Sequence, residues 1–204
     1  MGDNLKKFWV LLIFFFVILG FVGYFFLRDK MISPLPVMEP AAKPKQNDIL
    51  VKSVDFSKIN PPFLFSAKIP KEFKAEYIAQ LKAINIYNPS LSGQNNIEKS
   101  QIYITYFKAD RFLTLNTVDI THQDPIEVKG RQAILYEIAK KLGVPDFAGQ
   151  PEWRNFKHKA IDIRFSSENP TYFYSFASNP DLSEKFFDDF INSLLFHNEN
   201  NQLP

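Results

Sequence analysis

The 204-residue sequence predicts an α+β protein: a mostly antiparallel sheet with helices packed on its faces, plus one N-terminal transmembrane helix. Three observations lead to this fold class. Residues 8–27 form an uncharged apolar run, short segments further on alternate apolar and polar residues, and an apolar stripe at helical spacing lies near the C-terminus. The predicted organisation is therefore a tail (1–7), a membrane span (8–27), a linker (28–48), a globular domain (49–197) and a C-terminal tail (198–204).

The predicted membrane span reads FWVLLIFFFVILGFVGYFFL, which is 20 residues without a charge. At the helical rise this run is about 30 Å long, the thickness of the hydrocarbon core of a bilayer. Trp9 and Tyr24 lie near its two ends, where aromatic rings favour the membrane–water boundary. A cleaved signal peptide would have a shorter apolar region followed by small residues. We therefore expect a single-pass signal anchor, with the lipid bilayer as the partner of residues 8–27.

The charges flanking the span predict its orientation. Lys6 and Lys7 precede the span, and Arg28 and Lys30 follow it. The positive-inside rule then favours a cytoplasmic N-terminus and an extracytoplasmic domain in the cell membrane. Residues 28–48 contain four prolines, which is typical of a semi-rigid spacer.

Composition narrows the function classes of the domain. The net charge of +2 comes from the first 45 residues, since the remaining residues carry 18 positive and 19 negative side chains. A balanced domain is not expected to bind nucleic acid. The absence of cysteine excludes disulfides, thiolate zinc sites and a Cys nucleophile. The three histidines lack metal-ligand spacing, so neither a metal nor another cofactor is expected.

Alternating segments predict the sheet. Gln101–Lys108 is apolar on both faces, which is typical of a central strand. Ala160–Ser166 alternates, with Asp162 expected to point outward, and Thr171–Ala177 follows after a turn, so these two segments predict a hairpin. A second hairpin is expected to turn near Gly130.

One helix is predicted from its spacing. Asn179-Pro180-Asp181 supplies an N-cap, a proline and an early carboxylate, and an apolar stripe then runs from Leu182 to Leu195. Residues 73–81 and 111–121 fit either a helix or a strand.

The candidate binding site is the segment around Trp153. Its indole has Arg154 and His158 close by in sequence, and aromatic residues beside cations in loops are common in binding sites. The other interpretation is a tryptophan that covers the edge of the sheet. No catalytic motif is present, so we expect a non-catalytic binding or accessory domain for an unknown protein or envelope ligand.

Two alternatives remain open at this point. A membrane-tethered hydrolase or metal-dependent enzyme would use Asp119, His122 and Asp124, although a polar loop before Pro125 is the simpler interpretation. A carbohydrate-binding module of the cell envelope would use the aromatic side chains of the strands as stacking surfaces.

Five short motifs in residues 50–196 resemble the PsbP-like group of domains. They are Ile69-Pro70, Val128-x-Gly130-x-x-Ala133, Pro151-x-Trp153, Tyr172-Phe173-Tyr174 and Phe190–Phe196. The resemblance implies an α/β sandwich and a non-enzymatic accessory or binding role. The layout of one anchor, one linker and one small domain also resembles that of many bacterial membrane-anchored proteins.

Overall fold

The computed structural model describes residues 50–197. The chain divides into two units between Asp48 and Ile49, and the described residues belong to the second unit. The predicted span 8–27, the linker 28–48 and both tails lie outside the described residues. Within residues 50–197, no helix is long and apolar enough to span a membrane.

The described part contains ten strands, one α-helix and three short 3-10 helices. The strands are β1 (Val51–Asp55), β2 (Phe65–Pro70), β3 (Lys74–Ile78), β4 (Ala83–Tyr87), β5 (Ser100–Ala109), β6 (Val118–Val128), β7 (Arg131–Lys140), β8 (His158–Arg164), β9 (Thr171–Ser178) and β10 (Leu195–Phe196). The helix α1 spans Glu184–Asn192, and the 3-10 helices span Phe56–Lys58, Ala79–Leu81 and Glu152–Asn155.

Two antiparallel sheets form the layers. The large sheet has seven strands in the order β3-β4-β5-β9-β8-β7-β6, and the small sheet has the order β1-β2-β10. Phe65 of β2 lies 5.2 Å from Tyr174 and 5.3 Å from Phe176 of β9, measured between ring centroids. Phe190 of α1 lies 6.0 Å from Phe176. The first face of the large sheet is therefore covered by the small sheet and by α1, and the main core lies between them.

The predicted fold class is wrong. The protein is a β-rich sandwich, and the described residues contain a single α-helix of nine residues rather than helices over the faces of a sheet. The stretch 73–81 forms β3 and a 3-10 helix, and residues 118–121 begin β6. A second sheet provides most of the cover because β2 presents Phe65, Ala67 and Ile69 to the core at the spacing of a strand.

The predicted helix is shorter than its apolar stripe. It begins after Ser183, whose Oγ accepts a hydrogen bond from the N–H of Phe186, and not after Asn179. It ends at Asn192, and Leu195 and Phe196 pair with Ser66 and Phe65 of β2 as an added strand. The apolar stripe therefore crosses from a helix into a strand.

Two hairpins of the large sheet agree with the sequence. β8 and β9 form the expected antiparallel hairpin, and β6 and β7 turn at Lys129 and Gly130. These two residues have φ angles of 52° and 76°, the two left-handed positions that a type I′ turn requires.

The second face of the large sheet, opposite the small sheet, carries two rows of side chains that run across the strands. Thr105, Ser175 and Asp162 are successive partners in one row. In the neighbouring row, Ala177 and Ala160 lie between two tyrosines, Tyr103 and Tyr136. The expectation that Asp162 points outward is wrong, because this face is covered as well and Asp162 is only 4% exposed.

Candidate ligand cavity on the second sheet face

A cavity of about 260 Å³ lies on the second face of the large sheet. The segments before β6 and after β7 close over the strands there, since Leu115 and Phe147 pack on the smaller apolar cluster of this face. The polar side chains that line the cavity are Thr105, Thr117, Gln150, Arg154, Asp162 and Ser175, together with Tyr136. Its apolar wall consists of Leu115, Val118, Ile138 and Phe147.

Two alanines explain why the segment after β7 can approach the sheet. Ala160 and Ala177 are adjacent in the row between Tyr103 and Tyr136, and both are almost fully buried. Their small side chains leave space that larger residues would occupy. Trp153 and Arg154 belong to the 3-10 helix Glu152–Asn155, which places them on the second face of the large sheet.

Trp153 attaches the 3-10 helix to the sheet. Its Nε1–H donates to the carbonyl oxygen of Ser100 at 3.1 Å, and its ring meets the imidazole of His158 edge-on at 5.5 Å. The same carbonyl accepts from Asn179 Nδ2 at 3.0 Å. Trp153 also packs on the apolar cluster of the second face. Its contacts therefore position Arg154, the next residue.

Arg154 brings a positive charge to the cavity. Its Nη1 donates to Gln150 Oε1 at 2.9 Å, and its guanidinium lies 5.2 Å from the centroid of the Tyr103 ring. The Nε atom is buried and has no hydrogen-bond partner within the described residues. Burial lowers the pKa of Arg154, but a guanidinium keeps its proton in proteins.

Asp162 brings a negative charge to the same cavity. Burial raises the pKa of its carboxyl group to about 6, while a hydrogen bond from Ser175 and the charge of Arg154 act in the opposite direction. Burial, followed by the charge of Asp162, raises the pKa of Tyr136 to about 12. At neutral pH the carboxyl group is mostly ionised. Among the described residues, Asp162 and Arg154 form no direct ion pair. Two opposite charges therefore line the same cavity without being in contact.

His158 lies beside the cavity but not in its wall. It is 3% exposed, its Nδ1 lies 2.8 Å from the carbonyl oxygen of Phe156, and its Nε2 is buried without a partner in the described part of the chain. The contact assigns the proton to Nδ1, because a carbonyl can only accept. Burial, with a smaller effect of the Arg154 charge, lowers the pKa of His158 to about 4. The imidazole is therefore neutral.

The three residues predicted as a binding site thus have different positions. Arg154 lines the cavity, and Trp153 packs on the sheet and positions Arg154. His158 lines a separate groove of about 200 Å³ next to α1. Sequence reasoning missed Asp162, Ser175 and the other strand residues of the cavity. A signal for them was present: β9 is apolar on both faces, so its hairpin partner β8 is also covered on both faces, and Asp162 must be buried.

The alternative catalytic set lies on β6, at the edge of the large sheet. His122 Nε2 and Asp124 Oδ2 approach to 2.6 Å, but their side chains are 50% and 53% exposed. Asp119 is also exposed, and the register shift between Ile120 and His122 places it on the same sheet face as the pair, with Ala139 rather than Glu137 or Leu135 as its partner on β7. In residues 50–197, no group of three His, Cys, Asp or Glu residues could hold a metal ion.

No family model matches the chain, and no curated protein matches it. Among solved structures, the chain is similar to a crystal structure from Bacteroides thetaiotaomicron VPI-5482, at 13% sequence identity and a TM-score of 0.40. The match covers 75% of this chain and 51% of the other, so this chain spans about half the length of that protein.

Proposed function

We propose that the chain is a single-pass membrane-anchored, extracytoplasmic binding domain without catalytic activity, and that the cavity on the second sheet face holds its ligand. The observation that carries the proposal is the convergence of Arg154, Asp162, Ser175 and Thr105 on one cavity with an apolar wall. Ligand sites are typically concave and apolar, with a few polar groups that fix the orientation of the ligand. Three of these four residues lie on β5, β8 and β9, strands that are paired on both sides in the large sheet.

The size of the cavity supports a small molecule. Its volume of about 260 Å³ lies just below the range of roughly 300–1,000 Å³ that is usual for small-molecule sites. A ligand of the size of an amino acid or a monosaccharide fits this volume better than a peptide segment does.

The binding proposal is tested with the full chain in detergent micelles. Its thermal unfolding is followed in the presence of a panel of amino acids, N-acetyl amino acids, carboxylic acids and monosaccharides. A Thr105→Phe variant fills the cavity from β5, and Thr121→Phe makes the same change on exposed β6 as a matched control. The proposal predicts that some ligands stabilise the wild type and the control but not Thr105→Phe. Equal effects on all three proteins, or no effect on any, would contradict it.

The location is tested separately with reporters fused after residue 204 in a bacterial host. The uncharged run 8–27 and the lysines before it support an exported domain. Alkaline phosphatase, which is active only outside the cytoplasm, is expected to be active, and green fluorescent protein is expected to be dark. The reverse pattern would place the domain in the cytoplasm.

A further inference from the structure

We infer that the cavity on the second sheet face recognises a small zwitterion with an apolar side chain, namely an α-amino acid, whose carboxylate binds Arg154 and whose ammonium group binds Asp162. The inference rests on the proposed function, since it names the ligand class of the same cavity. Its premise is that each charged side chain there lacks a direct partner of opposite charge among the described residues, whereas the ligand has one of each.

Arg154 is equipped to receive a carboxylate. Among the described residues, its Nη1 donates to Gln150 Oε1 and its buried Nε has no partner. A guanidinium offers donors in a fixed plane that match the two oxygens of a carboxylate. The buried Nε is closed to solvent, so a ligand carboxylate meets the guanidinium through the part that lines the cavity.

Asp162 is equipped to receive an ammonium group. Ser175 hydrogen-bonds its carboxylate and holds it in place on the sheet, while Tyr136 lines the cavity on the neighbouring strand β7. The titratable groups that face it are the charged guanidinium of Arg154 from the 3-10 helix and the neutral phenol of Tyr136. Since neither forms an ion pair with it, the carboxylate retains the capacity to accept bonds from a cation.

An α-amino acid can pair with both charges of the cavity, whereas a simple carboxylic acid or a neutral sugar cannot. A simple carboxylic acid would satisfy Arg154 but would place its apolar body against a buried Asp162. A neutral sugar would leave both charges unpaired, which is costly for a side chain as buried as Asp162. The apolar wall of Leu115, Val118, Ile138 and Phe147 then favours an aliphatic side chain over a polar one.

The test is a comparison of three ligands by calorimetry with the full chain in detergent micelles. L-Leucine carries both charges, N-acetyl-L-leucine lacks the ammonium group and L-leucinamide lacks the carboxylate. We expect leucine to bind and each capped form to bind at least tenfold more weakly. Asp162→Asn should abolish the preference for leucine over N-acetyl-leucine, and Arg154→Met should abolish the preference over leucinamide. Lys157→Met removes a nearby cation that pairs with Glu137 outside this cavity, and it should leave both preferences unchanged.

The outcomes distinguish the ligand class from the binding function. If a capped form binds as tightly as leucine, or if only a sugar binds in a way that Thr105→Phe blocks, the zwitterion is wrong while the binding function stands. If no ligand binds in a way that Thr105→Phe blocks, both are wrong. The ligand comparison uses only the wild type, so it decides the matter even if Arg154→Met does not fold.

Discussion

Asp162→Asn is expected to change how the stability of the domain depends on pH. The substitution keeps the shape of the side chain and an oxygen that can accept from Ser175, but it removes the titration of a carboxyl group that is 4% exposed. In the wild type, burial raises the pKa of this group from 3.8 in the unfolded chain to about 6 in the folded protein. The folded state therefore binds a proton more tightly than the unfolded state between these two values.

The magnitude follows from this difference in pKa. At about 1.4 kcal/mol per pKa unit, a rise from 3.8 to about 6 corresponds to roughly 3 kcal/mol. The free energy by which protonated Asp162 stabilises the folded state is fully present below pH 3.8 and is lost as the pH rises through 6. The free energy of unfolding of Asp162→Asn, minus that of the wild type, should therefore increase by about 2 kcal/mol between pH 4 and pH 7.

The measurement is urea unfolding of the full chain in detergent micelles at pH 4, 5, 6, 7 and 8. Asp119→Asn on exposed β6 is the matched control, and its difference from the wild type should stay near zero. A difference for Asp162→Asn that does not change with pH, or that decreases from pH 4 to pH 7, would refute the reasoning, because Asp162 would then be solvated in the folded state.

Three other substitutions have defined outcomes. His158→Asn should gain about 3 kcal/mol of stability relative to the wild type as the pH falls from 7 to 4, and urea titrations at both pH values check this. The pKa of His158 drops from 6.5 in the unfolded chain to about 4 in the folded protein, so acid protonates the imidazole of the unfolded wild type first and stabilises that state. Tyr174→Phe should cost about 1–3 kcal/mol in urea unfolding, because the buried N–H of Leu64 loses the phenol oxygen that accepts from it at 3.1 Å; unchanged stability would contradict that role. Trp153→Phe should lower the stability by only about 1 kcal/mol, whereas Trp153→Ala should lower it by about 3–5 kcal/mol because the packing of the ring is lost. Equal losses of stability in thermal unfolding would show that the hydrogen bond to Ser100, and not the ring, provides the stability.

Local patterns made several strands of the large sheet and their turns predictable. The strand-forming residues of Thr171–Ser178 and the glycine at position 130 are properties of a few adjacent residues, and they give the same structure in most contexts. The fold class depended on distant partners. Leu195 and Phe196 continue a helical stripe in sequence, but β2 offers them backbone hydrogen bonds from a position about 130 residues earlier. Pairing over such a distance leaves no periodic signal in either segment.

The candidate site shows the same division. Arg154 could be identified because a cation beside a tryptophan stands out in the sequence. Asp162 could not be identified from its own strand, since an alternating aspartate is usually exposed to solvent. It is buried because the segments around Leu115 and Phe147 fold back over the sheet, and their position is set by contacts with residues far away in the chain.

The most direct test of the cavity as an amino acid site is the affinity for L-leucine between pH 7.5 and pH 5. The two charges of leucine do not change over this range, whereas Asp162, with its pKa of about 6, becomes protonated. If its carboxylate binds the ammonium group, affinity should fall about tenfold at pH 5, and Asp162→Asn should show no such fall. An affinity for the wild type that is constant or that increases on acidification would contradict the pairing of Asp162 with the ligand.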